Sequence, residues 1–362
     1  MKENNTIKRL RKVRERIKQE EVEGVFITNP VNCRYLSGFT GTRVYLLILK
    51  EEAFLLTDFR YRDQALEEAP HYSLVSLKGS MADSLKELMD KRIIKTLGFE
   101  KQHLTFYWYE LLKEKLPQKT RLVPLDNLVE NIRQIKDQEE ITLLKEASAL
   151  TEKCFTGILP FIKPGVKEEE IACELEYLCR KGGGQKVAFD FIVASGRRSA
   201  LPHGVASFKR IEPGDMVVID FGIIYKGYCS DMTRTLAMGH AGSREKKLYK
   251  LVLKAQGEAV QGIEEGMSGE EADNLARKIL SEAGYKDNFG HGLGHGVGLE
   301  VHEEPRLAPK MKPLLKKGMV FSVEPGLYFS GWGGIRIEDV VLLKDSGCEL
   351  LTSSFKEELL VL

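Results

Sequence analysis

Apolar and polar positions repeat along this chain with two periods, and the places where one period replaces the other mark its elements. Ile7, Leu10, Val13 and Ile17 recur at helical spacing among basic residues, which predicts a helix over 6–19. From Gly24 to Val123, short apolar runs at 24–28, 43–49, 53–57, 71–77, 96–99 and 120–123 alternate with helix-like segments near 60–68, 81–92 and 105–116. Such alternation is the pattern of an α/β domain. A strand-like stretch then gives way to Asp137-Gln138-Glu139-Glu140, an N-cap acid followed three residues later by Glu. The expected organisation is a domain over 1–125, a linker over 126–136 and a second domain over 137–362.

The second domain carries its pattern twice. Helices over 137–156 and 167–181 precede strands ending in 217–235, and helices over 243–265 and 268–283 precede strands around 319–343. The two spans, 137–235 and 243–343, are 99 and 101 residues long, which points to an internal duplication in an α+β domain.

Composition narrows the function. The 362 residues carry a formal net charge of +1, with 43% hydrophobic and 30% charged residues. A balanced charge argues against nucleic acid or an anionic membrane as the main partner, since both need a basic field. The basic residues of 8–16 read as a solvated helix face, because Glu15, Glu20, Glu21 and Glu23 stand close by. Apolar runs such as 45–49 are far below membrane-spanning length, and the first ten residues lack the apolar stretch of a secretory signal. The six cysteines (Cys33, Cys154, Cys173, Cys179, Cys229, Cys348) form no CxxC pair, so they are expected to be reduced core residues of a cytoplasmic protein.

Two hairpins concentrate the chemistry. Val217 to Thr235 turns at Lys226-Gly227, and a two-residue turn there sets 231 opposite 222. Asp220 and Asp231 then share one face as diagonal neighbours, about 7–8 Å apart at Cα. Alternate acids in a hairpin most often face solvent, yet Asp220 interrupts the apolar run 216–224, where a solvated carboxylate is out of place. The second half repeats the device. A loop centred on Gly331 sets Glu324 opposite Glu338, and alternation puts Arg336, Glu338 and Val340 on one face.

Between the hairpins lie His291, His295 and His302, three of the seven histidines. One histidine alone is usually a packing or surface residue; three within twelve residues, flanked by acid hairpins, favour a site. The intervening run does not match GxGxxG and is not the HExxH of a helical zinc protease. Eleven of the 33 glycines fall between Gly290 and Gly347, which reads as close backbone approach around a site or as surface turns. Four converging carboxylates need a partner. At 4 Å and an effective dielectric near 20 each like-charge pair costs about 4 kcal/mol, so the acids either take up protons or hold divalent cations. Oxygen ligands with one imidazole suit Mn²⁺, Co²⁺, Fe²⁺ or Zn²⁺.

The set Asp220, Asp231, His295, Glu324 and Glu338, within IDFG, SDMTRT, HGLGHGVGLEVHEEP, VFSVEPGLY and GIRIED, resembles the proline-specific metallopeptidases, the aminopeptidase P and prolidase family. The resemblance covers 135–343 strongly. It extends more loosely to the N-terminal domain through Asn29-Pro30, Arg34 to Phe39, Thr57-Asp58, Arg60-Tyr61 and Gln64-Ala65. It implies a creatinase-like N-terminal domain with a mixed sheet and a pita-bread catalytic domain with pseudo-two-fold duplication. It further implies two divalent ions, Mn²⁺ foremost, with Asp231 and Glu338 bridging, Asp220 completing one ion and His295 with Glu324 the other. A metal-bridging hydroxide would then attack the Xaa-Pro bond. Glu324 is implied as the proton shuttle, His203 and His302 as substrate-site residues that can stabilise the tetrahedral intermediate, His291 as a nearby supporting or substrate residue and Arg336 as the residue that orients Glu338. The implied partners are short peptides with proline at the second position and a second copy of the chain, as a homodimer.

Three other readings compete. Creatinase shares the fold without these ligands, methionine aminopeptidase shares the ligands without the extra N-terminal domain, and some relatives have lost the metals and act as binding scaffolds. The sequence leaves dipeptidase against longer-peptide aminopeptidase open, because it does not reveal which basic residue would meet a free proline carboxylate.

Overall fold

A computed structural model describes residues 5–362. The first four residues of the stretch read for a secretory signal, and of the 1–125 domain, lie outside the described residues. The chain divides into two compact units, Met1–Arg133 and Gln134–Leu362.

In the first unit, Leu10, Val13 and Ile17 bury one side of the helix Asn5–Gln19. Arg9 donates to the Tyr35 carbonyl at 3.1 Å and Arg14 to that of Leu49 at 3.1 Å, so part of the basic stretch serves the unit's own backbone. Six strands form one mixed sheet in the order Ser73–Ser76, Ala53–Thr57, Tyr45–Leu49, Gly24–Ile27, Thr96–Glu100, Arg121–Leu125. Gly24–Ile27 runs antiparallel to Tyr45–Leu49 and parallel to Thr96–Glu100. A helix at Pro30–Ser37 is not visible in the periodicity, because eight residues are too few to display a repeat. Its ends are nonetheless written in the sequence, with Asn29 capping Val31 N and Gly38 at φ 80°. Within 126–136 lies a further short helix, Glu130–Arg133.

The second unit repeats one layered arrangement. Helices Gln138–Ile158 and Glu168–Lys181 pack against strands of a four-stranded sheet ordered Leu360–Val361, Met232–Ala237, Met216–Phe221, Ile192–Ser195. Helices Ser243–Gly262 and Gly269–Glu282 pack against a five-stranded sheet ordered Glu303–Leu307, Gly294–Gly296, Val320–Val323, Asp339–Lys344, Gly347–Leu350. Val217, Ile219 and Phe221 join Ile171 and Leu175 in one core, and Phe321, Val323, Ile335 and Ile337 join Val252 and Ala276 in the other. Strand alternation therefore turns Asp220, Glu324, Arg336 and Glu338 away from the helices.

Both hairpin registers agree with the sequence arithmetic. Tyr225 pairs with Tyr228, Phe221 with Met232 and Asp220 with Thr233, which sets 231 opposite 222. Lys226 and Gly227, at φ 48° and 92°, make the primed two-residue turn that matches strand twist. In the second hairpin Gly326 pairs with Arg336 and Val323 with Asp339, so Glu324 stands opposite Glu338. Not all six cysteines are core residues. Cys173 is exposed, because the buried positions of its helix are 168, 171, 175 and 179 and residue 173 falls on the outer face. Among the described residues no helix is long and apolar enough to cross a membrane.

Residue 222 controls how the acids are presented. A Cβ there would lie 2.0 Å from the Ser230 carbonyl oxygen, directly across from the Asp231 segment. Gly222→Ala is expected to destabilise the protein by about 1–3 kcal/mol, the usual cost of overpacking. A lowered urea midpoint together with weaker divalent-metal binding checks this; an unchanged midpoint would show that the strands can part without cost.

Candidate metal centre

Each acid arrives from its own stretch of sheet. Asp220 lies on Met216–Phe221, Asp231 immediately precedes Met232–Ala237, Glu324 follows Val320–Val323, and Glu338 immediately precedes Asp339–Lys344. His295 sits at the centre of Gly294–Gly296. All five line one cavity of about 390 Å³, together with His203, His291, His302, Arg306 and Arg336. His295 Nε2 is 3.3 Å from Glu324 Oε1 and 3.7 Å from Asp231 Oδ2. One donor atom each from Asp231, His295 and Glu338 lies within 4.8 Å of the others.

The glycine-rich run serves close approach at this point. A Cβ on Gly294 would lie 1.9 Å from the Ser322 carbonyl oxygen, so only glycine lets the histidine strand come so near. Ser322 Oγ accepts from His295 N at 3.1 Å and donates to Glu324 Oε1 at 3.1 Å, holding both side chains in one register. His302 adds a ring centred 4.3 Å from that of His295.

Arg336 orients a different acid from the one expected. Its Nη2 donates to Asp220 Oδ2 at 2.6 Å, and it reaches Glu338 only through Thr233. Thr233 Oγ1 accepts from Arg336 Nε at 3.1 Å and donates to Glu338 Oε2 at 2.6 Å. The physical reason is strand pairing: Thr233 stands beside Asp220 in the ladder, which brings that carboxylate within reach of the guanidinium. Arg336 Nη1 also donates to Tyr328 Oη at 2.8 Å, and the same hydroxyl hydrogen-bonds His291 Nε2 at 2.9 Å. Thr233, Ser322 and Tyr328 were not among the sequence candidates. Thr233 and Ser322 each lie two residues from an acid on its face of the strand, a signal that alternation offers; Tyr328 has none.

Charge explains what the site needs. Burial pushes the Asp231 and Glu338 carboxyls well above the usual range, reinforced in both by the charges of Glu324 and Asp220 and in Asp231 also by that of Glu338. Burial also raises Asp220, against the pull of Arg336. Burial works to raise Glu324 as well, but its contact with His295 brings it down to about 2. His295 itself is raised because Glu324 outweighs the effect of burial. Burial and the neighbouring His295 push His302 down to about 4. Asp220 Oδ1 is buried and has no hydrogen-bond partner. An orphaned carboxylate oxygen, two further buried acids, the half-buried Glu324 and an imidazole fit hard divalent cations, which would satisfy all of them at once.

A duplicated α+β unit with this donor set is that of a metal-dependent hydrolase. The chain matches Metallopeptidase family M24 over residues 142–345 and the Creatinase/Prolidase N-terminal domain over residues 9–135, and it belongs to that peptidase family. It is 40% identical over 350 residues to an Xaa-Pro dipeptidase of Pyrococcus furiosus, covering 96% of this chain and 99% of that one. An Xaa-Pro dipeptidase structure from Bacillus anthracis superposes with a TM-score of 0.96 at 45% identity, over 99% of this chain and 100% of the other. An X-Pro aminopeptidase structure from Thermotoga maritima superposes with a TM-score of 0.90 at 38% identity, over 98% and 99%. The fold is the creatinase-type domain followed by the pita-bread catalytic domain of these enzymes.

The raised acids make a thermodynamic prediction. A carboxyl whose folded pKa lies above its unfolded value stabilises the fold at low pH, and that contribution is lost as pH rises through the folded pKa. Divalent cations remove the need for those protons. The gain in melting temperature on adding Mn²⁺ is therefore expected to grow from pH 5 to pH 8, with proton release on binding seen by calorimetry in buffers of different ionisation enthalpy. A gain independent of pH would contradict this account of Asp231 and Glu338.

Proposed function

We propose that this chain is an Xaa-Pro dipeptidase that holds two divalent cations, Mn²⁺ foremost, on Asp220, Asp231, His295, Glu324 and Glu338. The observation that carries the reading is the convergence of three buried carboxylates, the half-buried Glu324 and one imidazole on a single cavity. Two divalent ions would balance the four acids, and Asp231 and Glu338 would help to hold them together with Asp220, His295 and Glu324. Bound there, they would supply a Lewis acid for the peptide carbonyl and an activated water.

The side chains do the rest. Glu324, held ionised beside His295, takes the proton of the attacking water and returns it to the departing proline nitrogen. That nitrogen belongs to a tertiary amide with no N–H of its own, so it must be given a proton to leave as an amine. His302, neutral at physiological pH, and His203 flank the cavity and can donate to the oxygen of the tetrahedral intermediate. His291 and Tyr328 brace Arg336, which in turn keeps Asp220 in place.

Arg306 favours a dipeptidase over an aminopeptidase acting on longer chains. It lines the cavity, is exposed, and makes no ion pair with any described residue. Arg336, the other guanidinium on the wall, is already bonded to Asp220 and Tyr328. A free proline carboxylate calls for an uncommitted cation of this kind, whereas the amide of a longer peptide does not. Similar proteins carry both names, Xaa-Pro dipeptidase and X-Pro aminopeptidase, so the choice rests on Arg306. Residence in the cytoplasm, which free thiols fit, and assembly as a homodimer belong to the same proposal.

The deciding experiment compares an Xaa-Pro dipeptide, an Xaa-Pro-Yaa tripeptide and a Met-Ala control on purified, Mn²⁺-loaded protein. Preferential cleavage of the dipeptide is expected; preference for the tripeptide would favour the aminopeptidase P type, and cleavage of the control alone would overturn proline specificity. Asp231→Asn or Glu338→Gln is expected to remove activity and stoichiometric metal together. Arg306→Met should raise KM for the dipeptide about 10- to 100-fold, the loss of one charge-assisted contact, with little change in kcat. An unaltered KM would exclude Arg306 as the carboxylate partner.

A further inference from the structure

A carboxylate outside the metal cavity is more completely enclosed than any group within it. Glu168, the first residue of Glu168–Lys181, is 0% exposed. Burying such a charge is costly unless hydrogen bonds replace its water. Here the donors come from one loop. Ser195 donates through N at 2.7 Å and Oγ at 2.8 Å, Ser207 through Oγ at 2.7 Å and N at 3.2 Å, and Arg198 through its guanidinium. Two backbone bonds, from Glu168 N to Lys209 O and from Glu169 N to Ser207 O, both 3.0 Å, join the helix start to the same loop. Its beginning and its end are thus gathered onto a single carboxylate.

Between those ends lies a stretch that faces the cavity. Pro202, His203 and Val205 line it. Gly204 N donates to Leu201 O at 3.0 Å and closes the turn that carries His203. Arg198, while bonded to Glu168, donates through its other Nη to Val205 O at 2.8 Å, and Arg336 Nη1 donates to Pro202 O at 3.2 Å. His203 is exposed, and its ring makes no hydrogen bond to any described residue. The turn alone therefore sets where the imidazole stands.

We propose that Glu168 is a positioning residue for His203: its carboxylate closes the 195–207 loop and, through Arg198 and Val205, holds the His203 turn against the cavity. The proposal rests on the reading of His203 as a residue that meets the substrate. Displacing such a group by about 1 Å can cost on the order of 100-fold in rate.

The test is a double-mutant cycle on the full, Mn²⁺-loaded chain, with kcat, KM and metal affinity measured for Glu168→Gln, His203→Ala and the pair. The amide of Gln puts an NH2 donor in place of one carboxylate oxygen, where either the Ser195 pair or the Ser207 pair already donates. Glu168→Gln is expected to lower kcat/KM about 10- to 100-fold with unchanged metal stoichiometry and affinity, and to cost less than about threefold when His203 is already Ala. An equal loss in both backgrounds, no loss at all, or loss of bound metal would overturn the proposal. If Glu168→Gln does not fold, Arg198→Lys and Ser207→Ala enter the same cycle with the same expectation. Wild-type kinetics for His203→Ala would overturn the role of His203 and this proposal with it. Additive losses would overturn the positioning role alone and leave the peptidase reading standing.

Discussion

Four carboxylates, three of them buried and Glu324 half-buried, meet at one cavity where a single guanidinium, that of Arg336, and a single imidazole, that of His295, contact them directly, and the catalytic unit is organised around that imbalance. At about 4 Å each like-charge pair costs several kcal/mol even at a generous effective dielectric. Without cations, burial and like charge favour the protonated forms of Asp231 and Glu338, while Glu324 pairs with His295. Such a site is poised to exchange protons for metal. The orphaned Asp220 Oδ1 shows that protein groups alone do not complete it.

Keeping mutually repelling groups in place requires a stiff frame. Each hairpin is backed by a pair of helices, the first through Val217, Ile219, Phe221, Met232 and Leu236 and the second through Phe321, Val323, Ile335, Ile337 and Val341, so its acids cannot turn away without opening a core. Arg234, fully buried, ties the two hairpins together. It donates to the Thr233 carbonyl at 2.8 Å, to the Glu338 carbonyl at 2.5 Å and to Asp339 Oδ1 at 2.7 Å. Gln256 and Lys356 complete the shell of Asp339. A cationic side chain thus braces from behind the backbone that presents Glu338, while Arg336 and Thr233 align the carboxylates from within.

The wall of the cavity away from the acids is built differently. Glu303, which follows His302, is paired with the buried Lys136, and the His203 turn depends on loop hydrogen bonds rather than on strand pairing. His203, proposed to meet the substrate, sits on such a loop, whereas the five residues proposed to hold ions sit on or immediately beside strands, consistent with the tighter geometry that an ion demands.

Much of this was legible in the chain. Alternation with two residues at the Lys226-Gly227 turn was enough to set Asp220 and Asp231 on one face, and the Gly331 loop did the same for Glu324 and Glu338, because strand pairing is a local, countable constraint. Thr233 and Ser322 obeyed the same rule and were overlooked, being polar residues of no special chemistry. Cys173 was misplaced since composition alone does not tell which helix face is outward. The sequence by itself determined the duplicated elements, the hairpin registers and the residue types that suit divalent ions. Only the tertiary structure decided that Arg336 reaches Asp220 rather than Glu338, that Tyr328 joins His291 to Arg336, that Arg306 is left uncommitted, and that Glu168 gathers the His203 loop. Those contacts join residues as many as 116 positions apart, and no period along a chain records which side chains meet when separate sheets and helices close around one cavity.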